Sequence, residues 1–291
     1  MLKIRVLKKL RGEKMLRGIY TSASGMIVQM DKEDVLANNL ANADTAGFKK
    51  DQTIIKEFPG FEIFRKDDER VITNGDVESK LTKIGTLGTG AVVKDVVTNF
   101  EPGAILQTGN SNDFAINGDG FFAVDTPTGA KLTRSGNFYI DTNNYLVDGK
   151  GNRVLAANTG NRAGYIRVTG ELNISESGDI SGAVIENSVK NFPNLSIQGN
   201  INGSLASFNV ADKNQLIKEG DNYYSLAGNS QAVLSQNRGI VQGSIEKSNI
   251  SVVKEMVEMI QCSRSYETNQ KVLTAQDETL NKVVTEVGKW G

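Results

Sequence analysis

A long amphipathic segment at the C-terminal end of the sequence constrains the fold more than any other feature. Between Ser248 and Val287, apolar residues recur at alternating spacings of three and four, the repeat of a helix that packs along one stripe. A continuous helix of this extent is about 60 Å long, more than one small globular core covers. We therefore expect it to pack against other helices, with burial on an ordinary domain core as the alternative. The stripe comprises Ile250, Val253, Val257 and Ile260 and, after a shift of phase, Tyr266, Asn269, Leu273, Gln276, Leu280, Val283 and Val287.

A second helical segment lies near the N-terminus, from Leu16 to about Asn42. The end of this segment overlaps the stretch "LANNLANADTAGFKK", which begins at Leu36. The stretch carries several asparagines, although asparagine is a poor residue for a helix interior. Thr45-Ala46-Gly47 has the character of a helix stop and predicts extended backbone at Phe48. The apolar positions at helical spacing are Ile19, Ala23, Met26, Ile27, Met30, Leu36, Ala37, Leu40 and Ala41.

The middle of the chain has the pattern of antiparallel strands. From about Asn112 to Leu155, short runs alternate between apolar and other residues, and turn sequences such as "NGDG" and "VDGKGN" separate them. The pattern continues less clearly through Leu195 and Ile197 to Leu226. Short strands with turns at close intervals favour a sandwich or a small barrel.

These patterns predict an α+β fold, in which long terminal helices able to form coiled coils bracket a mainly antiparallel β domain. We expect the β domain to fold on its own. The predicted organisation is an extension over residues 1–14, an N-terminal helix over 15–44, an extended connecting segment over 45–97, the β-rich domain over 98–236, and a C-terminal segment and helix over 237–291.

The composition excludes several classes of site. The 291 residues include no histidine and a single cysteine, Cys262, so a zinc site of the usual ligands, a catalytic triad and an intramolecular disulfide are not expected. A net charge of −1, from 33 basic and 34 acidic residues, gives no basis for nucleic-acid binding. No stretch approaches the apolar length of a membrane span. We expect no enzymatic activity, no metal, no cofactor and no small-molecule substrate.

The first 14 residues are basic and fit a secretory signal poorly, because they lack a long apolar region and a small-residue cleavage site. One interpretation is a basic amphipathic surface segment. We favour the hypothesis that native translation starts at Met15. Arg11-Gly12-Glu13 can be encoded by a purine run that resembles a bacterial ribosome-binding site just upstream of that methionine.

Three segments of the chain resemble the rod and hook proteins of the bacterial flagellum, the axial family. "SASGM" followed by "LANNLANADTAGFKK" is similar to the N-terminal motif of that family. "QGSIEKSNISVVKEMVEMIQCSRSYETNQKVLTAQDETL" resembles its C-terminal motif, and "NDFAINGDGFFAV" with "LTRSGNFYIDTNNYLVDGKGNRVL" resembles its glycine-rich β segment. The length is closer to that of the rod members than to that of typical hook proteins. Residues 1–14 have no counterpart in the family.

The resemblance implies a structural subunit of the flagellar basal body. Such chains are exported unfolded through the flagellum-specific type III apparatus. They polymerise with copies of themselves and with other rod and hook subunits into a hollow helical shaft that crosses the periplasm and transmits torque. The terminal helices are expected to form the inner tube and the β domain the outer surface. The alternative is a secreted β-rich adhesin or fibre subunit, which accounts for the β segment but not for the paired helices.

The resemblance also assigns a role to the asparagines. A buried amide without a partner costs roughly 1–3 kcal/mol, so amides that hydrogen-bond across subunits would fix the register of the helices. We expect this role mainly for Asn39 and Asn42, with helix capping or solvation as the alternative. The complete expected assembly interface is Ile19, Met26, Met30, Leu36, Asn39, Leu40, Asn42, Asn249, Val253, Val257, Ile260, Arg264, Tyr266, Asn269, Leu273, Leu280 and Val283.

Overall fold

A computed structural model describes residues 2–66, 70–71, 77–78, 81–158, 162–187, 192, 195–196, 204–227, 231–235 and 239–288. Ile197, Gln236 and the side chain of Val287, which the predictions above use, lie outside the described set, as do the side chains of residues 1–17. The chain divides into two compact units. Unit 1 comprises Met1–Asn38, Gln52–Val96 and Val253–Gly291, and unit 2 comprises Asn39–Asp51 and Val97–Val252.

Two long helices flank the β region, as predicted: α1 spans Leu2–Ala41 and α2 spans Val252–Gly288. Helix α1 begins before the predicted start at Leu16 and ends one residue before the predicted end. Helix α2 begins four residues later than predicted, because the residues after Ser248 are held by hydrogen bonds of the Asn249 side chain instead of helical ones. Within the described residues, neither helix is long and apolar enough to span a membrane.

The predicted stop after α1 is confirmed. A hydrogen-bonded turn follows the helix, and Gly47 then adopts a left-handed conformation with φ of 69°. A Cβ at Gly47 would lie 2.4 Å from the carbonyl carbon of Arg134, so the position excludes a side chain by conformation and by space. Phe48 lies outside the helix and is buried, and the first strand begins at Asp51.

Unit 1 contains paired strands where the sequence predicts only an extended connection. The pairs are β1 with β6, β2 with β5, and β3 with β4. The β2–β5 pair has an irregularity between Ile63 and Phe64, and large apolar side chains on these strands are exposed, so no single face gives a clean alternating pattern. The strands are β1 Asp51–Glu57, β2 Phe61–Lys66, β3 Arg70–Val71, β4 Val77–Glu78, β5 Leu81–Leu87 and β6 Ala91–Thr98.

Unit 2 is the mainly antiparallel β region. Its described strands are β7 Ile105–Gln107, β8 Phe114–Ile116, β9 Phe122–Thr126, β10 Gly129–Thr133, β11 Tyr139–Ile140, β12 Leu146–Val147, β13 Arg153–Asn158, β14 Arg162–Ile174, β15 Ile180–Asn187, β16 Leu195–Ser196, β17 Ser204–Leu205, β18 Phe208–Asn209, β19 Leu216–Lys218, β20 Tyr223–Leu226, β21 Ala232–Leu234, β22 Ile240–Gln242 and β23 Ser244–Glu246. A 3₁₀ turn, Lys213–Gln215, precedes β19.

The largest described sheet has the order β11-β12-β13-β9-β10-β20-β19, with β14 and β17 also pairing with β13, and β15 with β14. Smaller pairings join β22 to β8 and β23 to β7. Strands from residues 240–246 therefore belong to unit 2, which extends beyond the predicted β domain of residues 98–236.

The centre of the large sheet is buried on both faces. Neighbouring residues such as Ala123 and Val124, or Val154 and Leu155, belong to two different apolar clusters. Because successive side chains of a strand point to opposite faces, β9 and β13 separate two cores. Phe121 packs edge-on against Tyr224 in one of these cores.

Candidate functional site

The two sequence motifs at opposite ends of the chain meet inside unit 2. The amide of Gly47 donates to the carbonyl of Glu246 over 2.8 Å, and the amide of Lys50 donates to Asn249 Oδ1 over 2.9 Å. The carbonyl of Lys50 in turn accepts from the amide of Asn99 at 2.8 Å. We call this contact between residues 47–51 and 244–249 the motif junction.

A buried group of charges lies at the centre of the motif junction. Lys49 Nζ lies 2.5 Å from Glu246 Oε1 and also donates to the carbonyl of Glu101 at 2.7 Å. Arg134 Nη1 donates to Glu246 Oε2 at 3.1 Å, and its Nη2 donates to the carbonyl of Gly118 at 2.7 Å. The side chains of Lys49, Glu246 and Arg134 are at most 2% exposed. Burial lowers the pKa of the Lys49 ammonium despite the opposing effect of the Glu246 carboxylate.

A second polar group fixes the start of β1. The Asn39 side chain and the Asp51 backbone exchange two hydrogen bonds, and Thr98 Oγ1 donates to Asp51 Oδ1 at 2.7 Å. Lys218 Nζ lies 2.9 Å from Asp51 Oδ2 and 3.8 Å from the centre of the Phe48 ring. Asn39 is thus one of the most buried polar side chains of the described chain, at 1% exposure.

Two of the asparagines expected at the assembly interface, Asn39 and Asn249, form hydrogen bonds within the chain. The Asn249 Nδ2 group donates to the carbonyls of Asn99 and Glu101, at 2.9 and 3.2 Å. Both amides therefore supply donors and acceptors to backbone groups of other segments, which buried backbone requires.

Helices α1 and α2 approach closely within unit 1 at two glycines. A Cβ on Gly18 would lie 2.4 Å from Gln276 Nε2, and one on Gly25 would lie 3.0 Å from Asn269 Nδ2. The polar positions of the α2 stripe therefore face the glycines of α1. Nearer the start of α2, Cys262 Sγ donates to the carbonyl of Gln29 at 2.9 Å, and burial raises the pKa of this thiol.

The residues predicted for assembly fall into three classes of exposure. Leu36 and Asn39 are buried within the chain. Half-buried positions are Ile19, Met26, Leu40, Asn42, Asn249, Tyr266, Asn269, Leu273 and Leu280. Exposed positions are Met30, Val253, Val257, Ile260, Arg264 and Val283. Further exposed apolar residues on the two helices, which the prediction omitted, are Tyr20, Ile27, Val252, Met256, Val272 and Val284.

Sequence reasoning missed the charged members of the motif junction. Lys49 and Glu246 stand 197 positions apart, and no local periodicity relates them. Their positions inside the family motifs could have pointed to them, since Lys49 lies in "AGFKK" and Glu246 lies in "GSIEKSN". The described residues contain no group of three or more acidic or cysteine side chains placed to hold a metal ion. What the junction does chemically is to hold distant chain segments together.

Comparisons with known proteins match three segments of the chain. Residues 19–49 match the model "Flagella basal body rod protein", residues 115–198 match "Flagellar hook protein FlgE/F/G D1 domain", and residues 241–286 match "Flagellar basal body rod FlgEFG protein C-terminal". Residues 47–49 of the motif junction lie in the first matched segment, and residues 244–249 lie in the last.

Relatives in several bacteria are similar over nearly the whole chain. The flagellar basal-body rod protein FlgG of Bacillus subtilis is 31% identical, over 93% of this chain and 98% of the relative. FlgG of Borreliella burgdorferi is 34% identical, over 91% of this chain and 97% of the relative. The flagellar hook-basal body complex protein FlhO of Bacillus subtilis is 29% identical, over 94% of this chain and all of the relative.

Proposed function

The chain belongs to the flagellar basal-body rod protein family, and we propose that its terminal helices polymerise into the hollow helical shaft that transmits torque in the flagellum. It is a structural subunit of the bacterial flagellum, located in the basal body. Its family is one of structural proteins and not of enzymes.

The observation that carries this proposal is an exposed apolar face at the start of α2. Val253 is 74% exposed, Met256 and Val257 are each 48% exposed, and Ile260 is 54% exposed. Their spacing places all of them on one side of the helix. Each such side chain contributes roughly 1.5–3 kcal/mol when a neighbouring copy removes it from water.

Helix α1 offers a complementary surface for a neighbouring copy. Tyr20, Ile27 and Met30 are 70%, 59% and 54% exposed and follow a helical spacing. A contact between α1 of one copy and α2 of the next joins two different surfaces. A heterologous contact gives a closed ring or an open helical filament, depending on the rotation between copies, and the proposed shaft is the open case. Coiled-coil packing of these helices in the shaft is part of the proposal.

The proposal also covers partners and export. A pair of long helices with one exposed apolar face is only marginally stable in water, and assembly, which covers that face, stabilises the pair further. This behaviour suits a chain that is exported unfolded by the flagellar type III apparatus and must not polymerise in the cytosol. Its neighbours in the filament are copies of itself and other rod and hook subunits, with residues 15–44 and 237–291 forming the core.

The test is a charge placed on the exposed face of α2. Val257→Asp should leave the protein exported but absent from purified basal bodies, because a carboxylate cannot be desolvated in a packed apolar layer. Thr268→Asp adds the same charge at an exposed polar position of α2 and should be recovered in basal bodies at the normal level. Normal recovery of Val257→Asp in basal bodies would contradict assembly through this face.

A further inference from the structure

Three separate stretches of unit 2 contact the C-terminal segment at one residue, Glu246. Its carboxylate accepts hydrogen bonds from Lys49, from the amide of Gly103 at 2.8 Å and from Arg134, and its carbonyl accepts from the amide of Gly47. Its strand, β23, also pairs with β7. Glu246 therefore joins the N-terminal segment, two loops and the C-terminal segment.

The two cations at this site share one anionic partner, Glu246. The site buries two cations, Lys49 and Arg134, against a single carboxylate that contacts both. A buried cation without a partner is strongly unfavourable, so a partly folded chain that lacks Glu246 at the site must keep both cations in water. Residues 47–50 and the Arg134 loop then cannot take their native places.

Sequence separation places this contact late in folding. The Glu246 side chain bonds to residues 112 and 197 positions away, so the entropy of closing large loops must be overcome before the contact is made. Glu246 also follows nearly all of unit 2 in the chain, and segments that emerge first have the opportunity to fold first.

We propose that Glu246 is a latch: unit 2 forms its large sheet first and stays open at the motif junction until residues 244–249 dock and Glu246 pairs with Lys49 and Arg134. The order of events is thus built into the charge distribution. The N-terminal segment at residues 47–50 is fixed in unit 2 only after the C-terminal segment has arrived. This inference concerns folding and stands independently of the proposed polymerisation.

The test is a kinetic comparison of full-length variants, with unfolding and refolding followed by tyrosine fluorescence. Glu246→Gln keeps the shape and removes the charge. If the latch closes after the rate-limiting step, this variant should unfold about 100-fold faster and refold within about twofold of the parent rate. Glu219→Gln is the matched control, since its carboxylate pairs with Lys131 and is 42% exposed. It should change either rate less than about threefold.

A refolding rate slowed enough to give a φ value above about 0.3 would overturn the proposal, because the latch would then be partly formed in the transition state. An unchanged unfolding rate would overturn it as well. If Glu246→Gln does not fold, Glu246→Asp keeps the charge on a shorter side chain and must give the same division between the two rates. Ile166→Val, in the apolar core, is the reference for early structure and should slow refolding.

Discussion

The side-chain amide of Asn39 and the backbone of Asp51 exchange two hydrogen bonds, each 2.9 Å long. The Asn39 Nδ2 group donates to the Asp51 carbonyl, and the Asp51 amide donates to Asn39 Oδ1. This geometry reproduces the pairing that a neighbouring strand would give. Asn39, in the last turn of α1, thereby holds Asp51, the first residue of β1, in place through its side chain.

Replacing Asn39 should therefore destabilise unit 2. Asn39→Ala leaves a backbone donor and a backbone acceptor of Asp51 without these partners, and the expected loss is about 2–3 kcal/mol in the free energy of unfolding. Asn42→Ala is the matched control because its amide is only half-buried, and it should cost less than about 1 kcal/mol. Urea denaturation measures both. Equal losses for the two variants would show that the Asn39–Asp51 hydrogen bonds contribute nothing extra to the free energy of unfolding.

Alanine at Gly47 should destabilise the fold for two reasons, backbone strain and a steric clash, and a second glycine separates them. Gly47 and Gly220 have similar backbone angles, φ of 69° and 63°, so alanine is strained at both positions. A Cβ at Gly47 meets the Arg134 backbone at 2.4 Å, whereas one at Gly220 meets nothing within 4 Å. Gly220→Ala should cost about 1 kcal/mol from conformation alone. Gly47→Ala should cost at least about 3 kcal/mol, because a backbone clash adds to the same strain. Equal decreases in melting temperature for the two variants would contradict the close approach of Gly47 to the Arg134 backbone.

Gly47 and the Lys49–Glu246 pair show how far the sequence could predict this structure. The helix stop at Gly47 follows from local chemistry, and the two helices follow from a period of three to four residues, so both were predictable. The pairing of Lys49 with Glu246 depends on a loop closure across most of the chain, and no local pattern encodes it. Arg134 lies in "LTRSGN", which has the pattern of a turn and gives no indication of burial.

The neighbouring residues Tyr223 and Tyr224 should respond in opposite ways to the same substitution. Tyr223 Oη donates to Asp148 at 2.5 Å and accepts from Asn152 at 3.0 Å, so Tyr223→Phe should lower the free energy of unfolding by about 1–3 kcal/mol. Tyr224 Oη is buried without a hydrogen-bond partner among the described residues. Tyr224→Phe should therefore be neutral or stabilising by about 1 kcal/mol at pH 7.

The pH dependence of Tyr224→Phe follows from the same burial, which raises the pKa of the Tyr224 hydroxyl above its ordinary value. A group with a raised pKa in the folded state contributes its full stability below the unfolded pKa of about 10 and loses it as pH rises above that value. The parent should thus weaken relative to Tyr224→Phe above about pH 10, by up to about 1.4 kcal/mol per pH unit. A stability difference that stays constant from pH 8 to pH 11 would contradict the assignment.

The final prediction concerns Leu273, which the sequence placed on an assembly seam with no role in the single chain. In the structure Leu273 is half-buried and lies on the α2 stripe between Asn269 and Gln276, whose amides stand against Gly25 and Gly18 of α1. Leu273→Asp should therefore weaken the helix pair itself, by about 2–3 kcal/mol of lost burial and more from desolvation of the charge.

Circular dichroism and basal-body recovery together separate this effect from assembly. Leu273→Asp should lower the helical signal and the recovery in basal bodies, while the melt of unit 2, which lacks this residue, stays unchanged. Val257→Asp, on the exposed part of α2, should lower only the recovery, since its side chain is 48% exposed before assembly. Lys282→Asp, at an exposed position, should change neither measurement. A full helical signal for Leu273→Asp combined with lost recovery would restore the original interpretation, in which this residue contacts only other subunits.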